Sequence, residues 1–104
     1  MDKLDRLGWA MEATVVVNGV WVGVRVNHAD VWPALLARIP ADAQPISTDT
    51  LFADAMISVV YGGDAVNGRR PFHVGYLNFK RVARNHDMTQ VLDRVAAALY
   101  ARVG

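Results

Sequence analysis

The sequence predicts an α+β fold in which a β-hairpin, a short helix, about three further strands and a C-terminal helix follow one another. Three observations predict it: an Asn-Gly dipeptide between two valine-rich runs, strand-like runs further along, and apolar residues at helical spacing in two segments. We expect a mainly antiparallel sheet with the C-terminal helix packed on one face. The 104 residues form one domain, 1–104, of ordinary size.

The dipeptide Asn18-Gly19 predicts a two-residue type I′ turn, because both positions of that turn take positive φ. Folding the chain back at this point fixes the strand register, and a slip of one residue would exchange the two faces. The apolar face then comprises Met11, Ala13, Val15, Val17, Val20, Val22, Val24 and Val26. The cross-strand pairs on the opposite face are Val16 with Trp21, Thr14 with Gly23, and Glu12 with Arg25.

The next elements follow from proline positions and apolar spacing. A short helix is expected with Asp30 as its N-cap and Pro40 at its end. Its apolar stripe is Trp32, Leu35, Leu36 and Ile39. Residues 40–50 contain two prolines and predict a loop. The expected strands are 56–61, 72–77 and 81–84, the last two joined around Asn78-Phe79.

The C-terminal segment predicts a helix of about four turns. Asp87 is the expected N-cap, and Gln90 occupies the third helical position of a capping box. The apolar stripe of this helix is Met88, Val91, Leu92, Val95, Leu99 and Val103.

Composition excludes several classes of function. With 53% hydrophobic and 20% charged residues, the chain predicts a packed core rather than disorder. It contains no cysteine, which excludes thiol catalysis and thiolate metal sites and favours a cytoplasmic location. Its apolar runs are far shorter than the roughly 20 residues of a membrane span, and its first residues lack a signal-peptide pattern. We therefore expect no membrane association.

Charge is unevenly distributed although the net charge is only +1. Residues 1–66 carry a net charge of −4 and residues 67–104 carry +5. The basic residues of interest in the second half are Arg69, Arg70, Lys80, Arg81 and Arg84. We expect them to gather at the two ends of the hairpin that follows Arg70 or along an exposed face of it, with Tyr76 and Phe79 adding aromatic surface. This pattern predicts, as one alternative function, a small anion- or nucleic-acid-binding domain. The small net charge disfavours nucleic acid as the partner.

Catalytic and metal-binding signatures are sparse. Gly63 and Gly68 have the spacing of a phosphate-binding loop, but Arg69 stands where that loop has its lysine. The histidines of the chain are His28, His73 and His86. Their spacing matches no metal-ligand pattern, so we expect no metal, no cofactor and no identifiable catalytic residue. A small-molecule enzyme with His73 in a pocket is the second alternative.

Trp21 lies on the hairpin face opposite the valines. An exposed tryptophan there supplies a large contact area and predicts a protein-protein interface, including self-association as a homodimer. The competing interpretation is that the residues before the hairpin, with Trp9, cover it. The interface candidates are Trp21, Arg25, Arg69, Arg70, Arg81 and Arg84.

Short motifs along residues 9–102 resemble the region that precedes the phosphate-binding loop in bacterial HPr kinase-like proteins. In the first half they are Met11-Glu12-Ala13, Gly23-Val24-Arg25-Val26-Asn27 and Leu36-Ala37-Arg38-Ile39-Pro40. In the second half they are Val59-Val60-Tyr61-Gly62-Gly63, Arg70-Pro71-Phe72-His73, Val82-Ala83-Arg84 and Val91-Leu92-Asp93. The phosphate-binding loop itself is absent from the sequence. The resemblance therefore implies a non-catalytic interaction or regulatory module, accessory to a kinase-like partner or self-associating.

Overall fold

In the described part of the chain, six strands and two helices form an α+β fold, as the sequence predicts. The structure, a computed structural model, describes residues 8–39, 45–47 and 53–103. The strands are β1 (Met11–Val17), β2 (Val20–Val26), β3 (Pro45–Ser47), β4 (Ala55–Val60), β5 (His73–Leu77) and β6 (Lys80–Asn85). The helices are α1 (Trp32–Leu36), preceded by a 3₁₀ turn at Ala29–Val31, and α2 (Met88–Val103). One sheet contains all six strands in the order β3-β1-β2-β4-β5-β6.

The β1–β2 hairpin has the predicted register. Asn18 and Gly19 take φ values of 50° and 77°, as a type I′ turn requires. The pairing runs from Val17 opposite Val20 to Met11 opposite Val26. Almost all of the valines on the predicted apolar face are buried, because that face meets the helices.

The sheet departs from expectation in two places. Pro45–Ser47 belongs to the stretch predicted to be a loop but pairs antiparallel with β1, and the rest of residues 40–50 lies outside the described residues. This short strand sits at the edge of the sheet, where a proline without an N–H is tolerated. The second departure is that β2 and β4 pair in parallel. The sheet is thus mainly antiparallel with one parallel pair.

The two helices lie together on one face of the sheet. Leu35 of α1 and the α2 residues Val91, Leu92, Val95 and Leu99 share one core cluster with the valines. Arg38, just after α1, donates from Nε to Asp93 Oδ1 at 2.8 Å, and the Tyr100 hydroxyl donates to the Arg38 carbonyl at 2.9 Å. These contacts hold α1 beside α2.

The helix starts agree with the sequence at α2 and differ at α1. Asp87 Oδ1 accepts the Thr89 N–H at 2.9 Å, which confirms Asp87 as the cap of α2. The prediction of Asp30 as the first N-cap is wrong. The chain enters a 3₁₀ turn at Ala29, so the N-cap lies two residues earlier, at His28, whose Nδ1 accepts the Asp30 N–H at 3.3 Å.

Close approach of α2 to the sheet depends on Gly75 in β5. A Cβ at this position would lie 2.2 Å from Val95 Cγ2 and 3.2 Å from Val91 Cγ1. Val95 is completely buried, so the valine has little room to withdraw. The absence of a side chain at residue 75 therefore sets the spacing between sheet and helix.

We expect Gly75→Ala to lower the free energy of unfolding by about 1–3 kcal/mol, because the added methyl overpacks the core. Urea denaturation measures this change. The matched control is Gly8→Ala, where a Cβ meets nothing within 4 Å. Adding Val95→Ala to Gly75→Ala should cost less than the sum of the two single changes, since the smaller side chain makes room for the new methyl. Equal stability of Gly75→Ala and the wild type would contradict this account of the packing.

Candidate functional site

The face of the sheet opposite the helices is called here the helix-free face, because within residues 8–39 and 53–103 no helix lies on it. Strand alternation and the observed register determine its members. They are Glu12, Thr14, Val16, Trp21, Gly23, Arg25, Met56, Ser58, Val60, Val74, Tyr76, Arg81 and Arg84. Four of the six predicted interface residues lie on this face.

Trp21 is exposed at the start of β2, with 44% of its surface accessible. Its backbone is held in place by Asp54, whose N–H donates to the Trp21 carbonyl at 2.7 Å and whose carboxylate accepts the Trp21 N–H at 3.4 Å. The described residues before the hairpin, 8–10, leave this ring exposed, and residues 1–7 of the competing interpretation lie outside the described residues. Trp9 covers a different member of the same face.

That covered member is Arg25, which is only 5% exposed. The prediction that Arg25 contacts a partner at the surface is therefore wrong. The guanidinium carbon lies 4.4 Å from the centre of the Trp9 ring and 5.5 Å from that of Phe79, and Nε donates to Ser58 Oγ at 2.8 Å. Sequence alternation assigns Arg25 to the correct face, but the two aromatic rings that cover it come from distant segments.

Four large side chains beside Arg25 and Gly23 are called here the aromatic patch. Trp9 and Phe79 cover Arg25, Met56 lies over Gly23, and Trp21 lies two residues before Gly23 on the same face. The Met56 thioether lies over Gly23, since a Cβ there would be 2.8 Å from Met56 Sδ. Phe79 follows Asn78 in the β5–β6 turn, and Asn78 is tied to Met56 by two hydrogen bonds of 2.8 and 2.9 Å. Phe79 is 46% exposed, so the patch presents two wide rings to solvent.

Four of the predicted basic residues line two clefts. Arg69 and Arg70 line an open cleft of about 740 Å³ in the loop between β4 and β5, together with Asp64 and Asn67. Arg70 also donates to the His86 carbonyl at 3.4 Å.

Arg81 and Arg84 line a second cleft of about 350 Å³ at the edge of β6. The third arginine of this cleft is Arg94 on α2, which the sequence analysis did not identify. Its position on the exposed side of a predicted helix gives no sign that the helix runs along β6. Arg84 also stacks on Phe72, with its guanidinium carbon 3.6 Å from the ring centre.

His73 is buried in β5 and lines neither of these clefts. Its Nδ1 accepts the Gly62 N–H at 2.9 Å, and its ring stacks on Tyr61 with centres 4.9 Å apart. Tyr61 contacts His28 at 4.5 Å, while its hydroxyl donates to Asp64, which raises the pKa of Tyr61. These contacts give His73 a structural role in the packing around the end of β4.

Within the described residues, no group of three or more metal-ligating side chains is close enough to hold a metal ion. None of the described helices is long and apolar enough to cross a membrane. Comparison of the chain with protein-family models, with curated proteins and with solved structures gives no match. The resemblance to HPr kinase-like proteins stays a prediction that rests on short motifs.

The environment of His73 makes the free energy of unfolding depend on pH. Burial lowers the pKa of His73 below its ordinary value, and the positive charges of His86 and Arg70 act in the same direction. The unfolded chain then binds a proton more readily than the folded chain. The contribution of His73 to stability is therefore fully present above about pH 6.5 and declines as the pH falls below that value.

We expect His73→Gln to reduce the loss of unfolding free energy between about pH 7.5 and pH 5, measured by urea denaturation at each pH. Leu36→Ser is the matched control, since it removes an exposed side chain and no titratable group. The control should keep the wild-type slope. An unchanged slope in His73→Gln would show that other groups cause the decline.

Proposed function

We propose that this chain is a non-catalytic protein-interaction module that binds its partner through the aromatic patch. The observation that supports this most is the exposure of Trp21 and Phe79, two large rings on a sheet face that carries no helix within the described residues. The partner is either a kinase-like protein, as the motif resemblance implies, or a second copy of the chain. We place this activity in the cytoplasm, where a cysteine-free chain needs no oxidising environment.

The exposed rings are large enough to contribute measurably to the free energy of binding a partner. An aromatic side chain buries about 150–250 Å² when fully covered, so covering the exposed half of one ring is worth about 2 kcal/mol. Tryptophan is among the residues that contribute most to protein interfaces. The Met56 side chain between the rings adds an adaptable apolar surface.

The backbone at Phe79 also supports a functional use of its ring. Phe79 has a φ of 67°, a conformation that costs a side chain with a Cβ about 1–2 kcal/mol. Asn or Gly would occupy this turn position with less strain. In the folded chain the ring contacts Arg25, and its exposed 46% is available to a partner. We infer that binding a partner offsets the remaining cost of this conformation.

The enzyme alternative finds no support in the two clefts, because His73 is buried and lines neither of them. The anion-binding alternative keeps one supporting observation, the three arginines that converge at the edge of β6.

We expect Trp21→Ser to weaken partner binding by at least about tenfold, because the residue is a central apolar contact. Phe79→Asn should act in the same direction, and it keeps the turn because asparagine tolerates positive φ. Sedimentation velocity over a concentration series measures self-association. Affinity capture with the chain as bait, compared between wild type and Trp21→Ser, measures binding to another protein.

The matched control is Leu36→Ser, which removes a side chain that is 37% exposed on α1. This variant should bind like the wild type. The proposal is wrong if the wild type stays monomeric and captures no protein, or if Trp21→Ser and Leu36→Ser behave alike.

A further inference from the structure

We propose that the outer edge of β6 is a second binding site, which takes up an extended acidic peptide as an additional strand of the sheet. This site goes beyond the aromatic patch and uses different residues. We name an acidic peptide as the ligand because the edge of β6 offers backbone groups to an added strand, and because arginines lie beside that edge.

The first requirement is a strand edge that can pair. β6 lies at the end of the sheet, and β5 is its neighbour among the described strands. Alternate N–H and C=O groups of such a strand point away from the sheet, and an added peptide satisfies them with a regular ladder of hydrogen bonds. The six residues Lys80–Asn85 provide enough length for such a ladder.

Arginines lie on both sides of this edge. Arg81 pairs with Tyr76 and Arg84 with Val74, so both belong to the helix-free face even though they are three residues apart. A register shift between Gly75 and Tyr76 makes this possible, because it gives β6 one extra residue. Arg94 reaches the same cleft from α2, on the opposite face of the sheet.

The charged side chains that line the cleft at the β6 edge are all positive among the described residues. The residues lining it are Arg81, Val82, Ala83, Arg84 and Arg94. No acidic side chain is among them. Guanidinium groups bind carboxylates through paired N–H donors, so an added strand with acidic side chains on both of its faces would meet arginine above and below. Three consecutive glutamates satisfy this geometry, since successive side chains of a strand alternate between faces.

Two features favour a peptide over a nucleic acid. Among these arginines, Arg84 already stacks on an aromatic ring, that of Phe72, at 3.6 Å, and the same ring stacks on His86 at 3.8 Å. That ring is therefore engaged where a base would have to stack. Single-stranded nucleic acid also makes no use of the strand's free backbone groups.

The test measures fluorescence anisotropy of a labelled peptide in which three consecutive glutamates stand between threonine and valine residues. We expect Arg84→Gln and Arg94→Gln each to weaken its binding about threefold, since each removes one exposed ion pair. The double variant should lose about tenfold, because the two side chains act from opposite faces. Arg102→Gln, in the last turn of α2, is the matched control and should bind like the wild type.

Three further probes identify the mode of binding. A peptide with glutamine in place of glutamate should lose binding. A peptide of unchanged charge but with N-methylated backbone positions should lose it as well, because it cannot form the ladder. Trp21→Ser should bind the acidic peptide normally, which separates this site from the aromatic patch. The proposal is overturned if no acidic peptide binds, if N-methylation has no effect, or if an oligothymidine binds more tightly than the peptide.

Discussion

The register of the β1–β2 hairpin is the constraint on which the other features of the structure depend. Asn18 and Gly19 close the turn, and the valines on one side of both strands are then buried against the helices. A slip of one residue would expose these valines, at a cost of about 1.5–3 kcal/mol for each side chain. The same slip would send Arg25 into the core. Burial of the valines therefore determines that Trp21 and Arg25 share the helix-free face.

That face has to accommodate a buried charge in the middle of the sheet. Arg25 lies beside the fully buried Ser58, whose hydroxyl accepts from its Nε. A guanidinium is weakly hydrated and stacks well on aromatic rings, so Trp9 and Phe79 can cover it at moderate cost. Phe79 thus has two roles: one side of the ring contacts the arginine, and the remainder faces solvent. Burial of Arg25 and exposure of the aromatic patch are consequences of one arrangement.

The parts of this fold that depend on local chemistry were predictable from the sequence. They include the type I′ turn, the cap at Asp87 and the apolar stripe of α2, each of which is decided by residues within a few positions of one another. Contacts between distant segments were not predictable: the pairing of Pro45–Ser47 with β1, the cover of Trp9 on Arg25, and the approach of Arg94 to β6. Alternation assigns a side chain to a face, but what covers it depends on tertiary packing.

The two edges of the sheet are protected in different ways, and this difference bears on how copies of the chain could meet. β3 is short and contains Pro45, which cannot donate a hydrogen bond. β6 is longer and is protected by positive charge. Pairing of β6 with β6 of a second copy would bring arginines of both chains together, which is destabilising. The same arginines attract a strand with acidic side chains. The edge of β6 therefore favours an acidic strand over a second copy of β6. A second copy, one of the two partners proposed above, would therefore meet the aromatic patch and leave the β6 edge available.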